Sequence, residues 1–243
     1  YYKLKNTDSL VALEFYNYKV AEDMTSSGIW TPEELPGTIK SVNGISVPFT
    51  SGAVVETIEA SNGIIYRLSN CDLSLEAKFP PVYIEGETTD KVIFTGGGSD
   101  GYTRIKPLAR GGLDFVLDDH DGNPGKIVYH IGNLAATKYE FYWLAVDDFG
   151  GSYYGAVPDS LIRQKLEKVI YNPSAPIENR YPMHKTISDS LLYVVDLSYE
   201  TAELRYAGSY SLDNYEDFWL HLVGSGSNTT MTLDYLKIVP VFE

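Results

Sequence analysis

Acidic side chains are the most plentiful groups that could do chemistry, with 33 Asp and Glu among 243 residues. They are densest at Asp118–Asp121 and at Asp147–Asp148. A glycoside hydrolase would need two carboxyl groups about 5–10 Å apart across a sugar, whereas adjacent residues of a strand point to opposite faces. Both groups are therefore predicted to be solvated turns, and hydrolysis is only a third functional alternative.

A glycine-rich run at Gly96–Gly101 matches two catalytic patterns through its glycines. Read as G-x-S-x-G, it would offer Ser99 as a nucleophile; read as G-x-G-x-x-G, it would bind a pyrophosphate. Both patterns need a strand, a sharp turn and then a helix whose N-terminus supplies hydrogen-bond donors. A strand-like run ending at Pro107 follows instead, so the run is predicted to be a loop between strands.

Metal-ligand patterns are weak along most of the chain. Asp119 to Gly125 places oxygen ligands at alternate positions, as calcium loops do, but the twelfth position is His130 and not glutamate. A turn between strands is the prediction there. Zinc is not expected, because no histidine lies in a zinc-ligand spacing. The four histidines are His120, His130, His184 and His221.

Exposed tyrosines in two loops could form a ligand surface. Tyr153 and Tyr154 stand between glycines, and Tyr215 stands beside Asp213 and Asn214. A pyranose stacks its C–H groups on an aromatic ring, and amide or carboxylate groups bind its hydroxyls. These five residues are the predicted ligand-binding set; packing and protein contacts are the alternatives. Trp143 and Trp219 lie in strand-like runs and are predicted to be core.

Composition and charge exclude several classes of protein. The 19 basic and 33 acidic residues give a net charge of −14, which repels nucleic acid and anionic lipid. Cys71 is the single cysteine, so an intrachain disulfide is impossible and a buried thiol is predicted. No apolar run is long enough to span a bilayer, and Tyr1–Lys5 lacks the apolar core of a signal peptide.

Two Asn-Gly dipeptides organise the first part of the chain. Asn43-Gly44 and Asn62-Gly63 each separate two apolar runs, which predicts two hairpins forming one antiparallel unit. The periodicity of Leu10–Val20 fits a helix or a strand. A double proline follows Lys78 and predicts a domain junction, so we expect domains at residues 1–78 and 79–243.

Short β-rich runs separated by turns dominate the second domain and predict a β-sandwich or barrel. Tyr139–Leu144 is apolar on nearly both faces, which predicts a central strand. Asp159–Ile170 fits either a helix or a long strand. The predicted strands are Val82–Glu87, Lys91–Thr95, Leu113–Leu117, Lys126–Ile131, Lys138–Val146, Leu191–Leu197, Ala202–Tyr206, Phe218–Val223 and Met231–Val241.

Two segments resemble known families. The sequence Ala-Ser-Asn-Gly-Ile-Ile-Tyr-Arg-Leu at residues 60–68 resembles the C-terminal half of a fasciclin (FAS1) domain. The strands beginning at Val82, Tyr139 and Thr232 resemble a galactose-binding-like jelly roll of the kind found in carbohydrate-binding modules. The resemblance implies a mostly β fold, in which a partial fasciclin-like unit is joined to an antiparallel β-sandwich.

This combination resembles surface lipoproteins of Bacteroidetes glycan-utilisation loci. The resemblance implies a lipid-anchored position on the extracellular face of the outer membrane, through a segment outside this chain. Its expected partners are a polysaccharide or oligosaccharide, together with a TonB-dependent transporter and the binding protein of that transporter. The resemblance also implies a structural Ca²⁺ held by Glu85, Glu87 and Asp234; protective charges on an edge strand are the alternative.

The resemblance covers only the C-terminal half of a fasciclin domain, which implies that the first unit is a partial domain. The apolar strand residues Ile39, Val47, Ile58 and Ile65 are therefore expected to need a cover, from preceding residues or from a partner chain. The functional prediction is a non-enzymatic glycan-binding protein. An adhesion or scaffold subunit that binds another protein is the main alternative.

Overall fold

The computed structural model describes residues 9–31, 33–93, 100–118, 125–148, 162–176, 179–225 and 230–242. The chain divides into two compact units, Tyr1–Pro80 with Phe242–Glu243, and Pro81–Val241. Every described strand pair is antiparallel, so the predicted mostly β class is confirmed. None of the described helices is both long enough and apolar enough to cross a bilayer.

The first unit combines two helices with two hairpins. Leu10–Val20, which fits two patterns in the sequence, is helical. The elements are α1 at Ser9–Met24, β1 at Thr38–Lys40, β2 at Ser46–Pro48, β3 at Val54–Ala60, β4 at Gly63–Leu68 and α2 at Leu75–Lys78.

Both predicted hairpins are present, with two corrections. In the first, Gly44 has a φ of 79° and donates its N–H to Ser41 O at 2.9 Å, a conformation that glycine adopts without steric cost. In the second, Ala60 pairs with Gly63, so the two loop residues are Ser61 and Asn62 and not Asn62 and Gly63. The hairpins form separate two-stranded sheets, so the prediction of one continuous unit is wrong.

Burial within the first unit differs from the prediction at two residues. Val47 is buried with only 5% of its surface exposed, and Cys71 is exposed, so the predicted buried thiol is wrong. Ile58 and Ile65 are direct cross-strand partners and are 45% and 57% exposed. Their face of the β3–β4 hairpin is the apolar surface that the sequence predicts.

The second unit is built of thirteen described strands. They are β5 at Val82–Glu85, β6 at Lys91–Ile93, β7 at Asp100–Ile105, β8 at Leu113–Asp118, β9 at Lys126–Leu134, β10 at Lys138–Leu144, β11 at Arg163–Val169, β12 at Met183–Thr186, β13 at Leu192–Tyr193, β14 at Arg205–Ser211, β15 at Glu216–Gly224, β16 at Met231–Leu233 and β17 at Tyr235–Val241.

Three strands differ most between the sequence prediction and the structure. The single predicted strand at Met231–Val241 is two strands interrupted at Asp234. Only Leu192–Tyr193 is extended within Leu191–Leu197, and the run predicted at Ala202–Tyr206 is replaced by β14. The ambiguous segment before Ile170 contains β11 and is a strand where it is described.

These strands form a β-sandwich around one core. A four-stranded sheet has the order β14-β10-β17-β5, and a six-stranded sheet has the order β12-β11-β15-β9-β6 with β13 beside β11. A third sheet has the order β16-β8-β7. Side chains from all three fill the core, among them Phe141, Phe218, Leu220, Leu233 and Leu236. β10 lies between β14 and β17, as its apolar pattern predicts.

One close backbone contact holds the start of this unit against its end. A Cβ on Gly86 would lie 2.0 Å from Leu233 O, and the Gly86 N–H donates to Asp234 O at 2.6 Å. No side chain fits there, because the neighbouring atoms belong to the backbone. Gly86 is therefore required where β5 ends and β16 leads into β17.

We expect Gly86→Ala to destabilise the second unit by about 3 kcal/mol or more, because overpacking against backbone forces the strands apart. Urea unfolding followed by tryptophan fluorescence measures this change. Gly112→Ala is the matched comparison, since Gly112 has a φ of 79° but nothing near its missing Cβ. Gly112→Ala should lower the free energy of unfolding by only about 1–2 kcal/mol. Equal costs for the two variants would contradict the steric explanation.

Candidate functional site

Four aromatic rings lie together on one face of the six-stranded sheet. The Trp219 ring lies between His130, with centroids 4.0 Å apart, and Tyr171, with centroids 4.6 Å apart; both pairs are nearly parallel. Tyr181 lies 5.3 Å from Tyr171. We call His130, Tyr171, Tyr181 and Trp219 the aromatic cluster.

Strand alternation places this cluster on the outer face of the sheet. On β15, Phe218 and Leu220 point into the core shared by the sheets, so Trp219 between them points to the opposite face. Trp219 is the cross-strand partner of both His130 on β9 and Val169 on β11. Trp219 packs on that outer face with Val128 and Val169, and the partly buried Tyr181 packs against these three residues.

Carboxylates at the rim fix the rings of the aromatic cluster. Asp217 accepts a hydrogen bond from Trp219 Nε1 at 2.7 Å and contacts His130 Nε2 at 2.5 Å. Asp90 accepts a hydrogen bond from the Tyr181 hydroxyl at 3.0 Å. Burial and this hydrogen bond raise the pKa of Tyr181 to about 12. Three of the four rings are thus held by carboxylates that keep further acceptor capacity.

A buried imidazole lies beside the cluster. His221 shares the outer face with Trp219, is 1% exposed, and neither of its ring nitrogens has a hydrogen-bond partner among the described residues. Burial lowers the pKa of His221 to about 3, with a further contribution from Lys126. The ring is therefore neutral at physiological pH, with one donor and one acceptor unused in the described part of the chain.

The chemistry of this face is suited to non-covalent binding. Tyr171 is 36% exposed, and its ring is kept in place by stacking on Trp219. Asp217 and Asp90 are acceptors at the rim. A ligand with C–H faces and several hydroxyl groups matches rings and acceptors placed together.

The predicted loop residues lie elsewhere in the chain. Asp213, Asn214 and Tyr215 are in the turn between β14 and β15; Asp213 is exposed, and the other two are half-buried. Tyr153 and Tyr154 lie outside the described residues, as do Asp119–Asp121 and most of the glycine-rich run. Its last residues, Asp100 and Gly101, begin β7 and not a helix.

The sequence reasoning missed Trp219 and Tyr171 as candidates. Trp219 is buried, with 8% of its surface exposed, as its strand-like setting predicts, but it belongs to a small cluster on the outer face, separate from the main core. The signal available in the sequence was its alternation with Phe218 and Leu220. Tyr171 follows β11 directly, and no local pattern distinguishes it from the many other tyrosines of the chain.

The three residues predicted to bind calcium surround Gly86. Asp234 is 1% exposed and accepts the Arg110 N–H at 3.0 and 3.1 Å. Glu85 forms an ion pair with the Arg110 guanidinium. One carboxylate oxygen each of Glu85 and Glu87 is buried without a hydrogen-bond partner among the described residues. Within the same residues, no group of three or more Asp, Glu, His or Cys side chains is placed so that it could hold a metal ion.

Charge repulsion is concentrated at Asp234. Burial is the largest cause that raises the pKa of Asp234 to about 7. The hydrogen bond from the Arg110 N–H opposes this rise, and the neighbouring carboxylates of Glu85, Asp114 and Glu87 add to it. Asp114 itself is compensated by Arg104. The corner therefore holds more negative charge than its described partners neutralise.

The Asp147–Asp148 pair is structural. Asp148 forms ion pairs with Arg104 at 2.6 Å and with Lys106. Burial alone would raise the pKa of Asp148, but the hydrogen bonds from Lys106 and Arg104 outweigh it and lower the pKa. Asp147 accepts the Ile162 N–H at 3.0 Å. The two carboxylates thus hold different partners, and the expectation of solvated turns is wrong for this pair.

Comparisons with known proteins return similarities of structure alone. No family model matches the chain, and no curated protein matches its sequence. The C-terminal CBM6 of LamC, a marine laminarinase from Zobellia galactanivorans, is 10% identical with a TM-score of 0.39, covering 65% of this chain and 98% of that one. A family 35 carbohydrate-binding module from Clostridium thermocellum is 10% identical with a TM-score of 0.39, covering 66% and 98%.

A β-1,3-glucan binding CBM6 from Bacillus halodurans is 12% identical with a TM-score of 0.35, covering 66% of this chain and 95% of that one. Identities and TM-scores this low establish neither a common family nor a common ligand.

The buried carboxylate of Asp234 predicts a pH dependence of stability without added metal. The folded-state pKa of about 7 lies above the ordinary value of 3.8, so the folded protein holds a proton that the unfolded chain releases. The free energy of unfolding should therefore fall as pH rises from about 4 to about 7. Urea titrations across that range measure the slope.

Asp234→Asn should flatten this slope, since the amide cannot ionise. Asp189→Asn, at an exposed turn residue, is the matched control and should leave the slope unchanged. An unaltered slope in Asp234→Asn would show that another group titrates.

Proposed function

We propose that the second unit binds carbohydrate without a covalent step, at the aromatic cluster on the six-stranded sheet. The observation that carries the proposal is the ring stack of Trp219, Tyr171 and Tyr181 with the carboxylates of Asp217 and Asp90 at its rim. Stacking removes apolar sugar faces from water, and the carboxylates accept hydrogen bonds from sugar hydroxyls.

Each residue has a distinct part in this binding. The exposed ring of Tyr171 receives a sugar face, and Trp219 supports it from behind. Asp217 and Asp90 orient the hydroxyls while keeping the rings of Trp219 and Tyr181 fixed, which lowers the entropy lost on binding. The loop residues that the sequence predicts are also proposed to contact the glycan; they are Tyr153, Tyr154, Asp213, Asn214 and Tyr215.

The setting of this activity is proposed from the family resemblances of the sequence. The chain would act at the extracellular face of a bacterial outer membrane, lipid-anchored through a segment outside this sequence, beside a TonB-dependent transporter and its binding protein. Residues 1–78 would be the partial fasciclin-like domain. The protein would hold glycan for import and would not cleave it. Co-isolation of transporter polypeptides from native membranes tests this setting.

A scaffold or adhesion role is the second candidate, and one observation favours it. Ile58 and Ile65 form an exposed apolar pair on the β3–β4 hairpin, beside the exposed ion pair between Glu56 and Arg67. Such a surface suits a protein contact. Loss of membrane co-isolation in Ile58→Ser, with glycan binding intact, would assign the hairpin to this role.

We also propose that Glu85, Glu87 and Asp234 hold a structural Ca²⁺. Calcium prefers carboxylate and carbonyl oxygens, and two buried carboxylate oxygens at this corner lack a partner among the described residues. A bound ion would supply the positive charge that Arg110 provides only in part. Its role would be to hold the end of β5 against the start of β17, with no part in any reaction.

Tyr171→Ala should weaken glycan binding about 10-fold, equivalent to about 1.4 kcal/mol, because the exposed stacking ring is removed. Isothermal titration calorimetry against a panel of neutral polysaccharides, including β-1,3-glucan, mannan and xylan, identifies the ligand and measures the loss. Binding should also change the fluorescence of Trp219.

Tyr193→Ala is the matched control. Tyr193 is 55% exposed and pairs with Arg163, which is six residues from Val169 along β11 or about 20 Å from the cluster. Its removal should leave affinity unchanged. Equal losses in both variants, or no heat with any polysaccharide, would refute the assignment of the site.

Calcium should raise the thermal midpoint of the wild-type protein at pH 8, because Asp234 is then ionised and can ligate. The increase should shrink at pH 5, where Asp234 is mostly protonated in the absence of metal. Differential scanning fluorimetry with EDTA, Ca²⁺ or Mg²⁺ measures it. Glu87→Gln should lose the response, while an unchanged midpoint with saturating Ca²⁺ at both pH values would exclude the ion.

A further inference from the structure

The outer face of the four-stranded sheet carries a row of side chains that the proposed site does not use. Tyr83 on β5 pairs with Lys237 on β17, Lys237 pairs with Tyr142 on β10, and Tyr142 pairs with Tyr206 on β14. Since neighbouring strands lie about 4.8 Å apart, the row runs about 14 Å across all four strands. We call these four residues the tyrosine row.

The tyrosine row points away from the core. The residues that alternate with it, among them Ile84, Leu236 and Phe141, fill the sandwich interior. Tyr83 and Tyr206 are 42% and 54% exposed. The row is thus an aromatic surface open to a ligand, on the opposite sheet from the aromatic cluster.

Contacts within the face restrict the rings. Tyr142 and Tyr206 pack edge to face with centroids 5.6 Å apart, and the Tyr142 hydroxyl donates to Glu140 at 2.7 Å. On the other side, Tyr83 and Tyr235 lie 6.0 Å apart. Rings held in this way lose little conformational entropy when a ligand stacks on them.

Two cations lie among these rings in a chain of net charge −14. The Arg110 guanidinium lies 4.4 Å from the Tyr83 ring centroid and is ion-paired with Glu85. Lys237 Nζ lies 5.8 Å from the same centroid. Within the described part of the chain, Lys237 forms no ion pair, so its charge is available to a ligand at the centre of the row.

We propose that the tyrosine row is a second binding site, which takes a linear polysaccharide bearing carboxylate groups. The chain would run across the strands, with sugar rings stacked on Tyr83 and on Tyr206 beside Tyr142. One carboxylate would pair with Lys237. This site acts independently of the aromatic cluster, so one molecule could hold two chain segments and gain avidity from both.

A polymer of sugars fits the row better than a peptide does. The four side chains of the tyrosine row follow one another on neighbouring strands about 4.8 Å apart, which suits an extended ligand with a repeating unit. The positive charge at the centre selects an anionic chain over a neutral one. An acidic peptide is the competing ligand, and the experiment includes it.

The test is affinity electrophoresis and calorimetry with polygalacturonate, alginate and glucuronoxylan, at fixed calcium concentration. Tyr83→Ala and Lys237→Gln should each weaken binding to at least one of these chains about 10-fold. Binding should also weaken as salt increases. Near-UV circular dichroism and the urea midpoint verify that each variant is folded.

Two further variants distinguish the tyrosine row from general charge attraction and from the aromatic cluster. Lys138→Gln removes a positive charge on β10 four residues from Tyr142 and should leave affinity unchanged. Tyr171→Ala should reduce binding of neutral glycan at the aromatic cluster without affecting the anionic chain. This pattern distinguishes the two sites, since either can fail while the other stands.

Three results would overturn the proposal. One is that none of the anionic chains binds. Another is that Lys138→Gln weakens binding as much as Lys237→Gln, which would indicate general electrostatic attraction. The last is that poly-glutamate binds as tightly as the polysaccharides and with the same dependence on Tyr83.

Discussion

Phe141 of the four-stranded sheet packs against Phe218 of the six-stranded sheet, with ring centroids 5.8 Å apart, and the rest of the second unit depends on this layer of apolar contacts. Strands bury one face in the shared core and must turn the other outward. The residue after Phe141 is Tyr142, and the residue after Phe218 is Trp219. The same packing therefore produces both outward surfaces, the tyrosine row and the aromatic cluster.

The two surfaces differ in charge because different strands supply their polar groups. At the aromatic cluster, Asp217 and Asp90 leave carboxylates at the rim. At the tyrosine row, Lys237 leaves a positive charge, while Arg110 is paired with Glu85. The two outward faces of the sandwich therefore differ in chemistry while they share one core.

The corner around Gly86 is where the fold carries an unfavourable charge. Two strand ends meet so closely that only glycine fits, and the meeting places Asp234 among other carboxylates in a buried setting. Burying an uncompensated carboxylate costs stability unless a proton, a cation or a hydrogen bond offsets it. The raised pKa of Asp234 and the buried oxygens of Glu85 and Glu87 follow from the same geometry.

Local signals in the sequence predicted the elements that depend on local physics. The alternation of Tyr139, Phe141 and Trp143 predicted a central strand, and Asn43-Gly44 predicted a hairpin because a positive φ is needed there. Prediction failed for features of the fold that depend on residues far apart in the sequence. The break at Asp234 within an apolar run, for example, is set by the approach of Gly86, which lies far earlier in the chain.

Burial was the property least accessible to sequence reasoning. Cys71 belongs to a residue type that is usually buried and lies at the surface. Trp219 is buried, as its strand-like setting predicts, but in a small cluster on the outer face and not in the main core. Alternation with a period of two residues predicts that a strand has two different faces. It does not predict which of the two faces packs against another sheet.

The sequence by itself determined an acidic, antiparallel β protein, because charge, strand alternation and turn residues are properties of short segments. The tertiary structure alone decided which aromatic residues assemble. Trp219, His130, Tyr171 and Tyr181 come from separate segments, and so do Tyr83, Lys237, Tyr142 and Tyr206. Their proximity is fixed by strand register and sheet order. Both depend on how all the strands pack together, so no single segment of the sequence determines them.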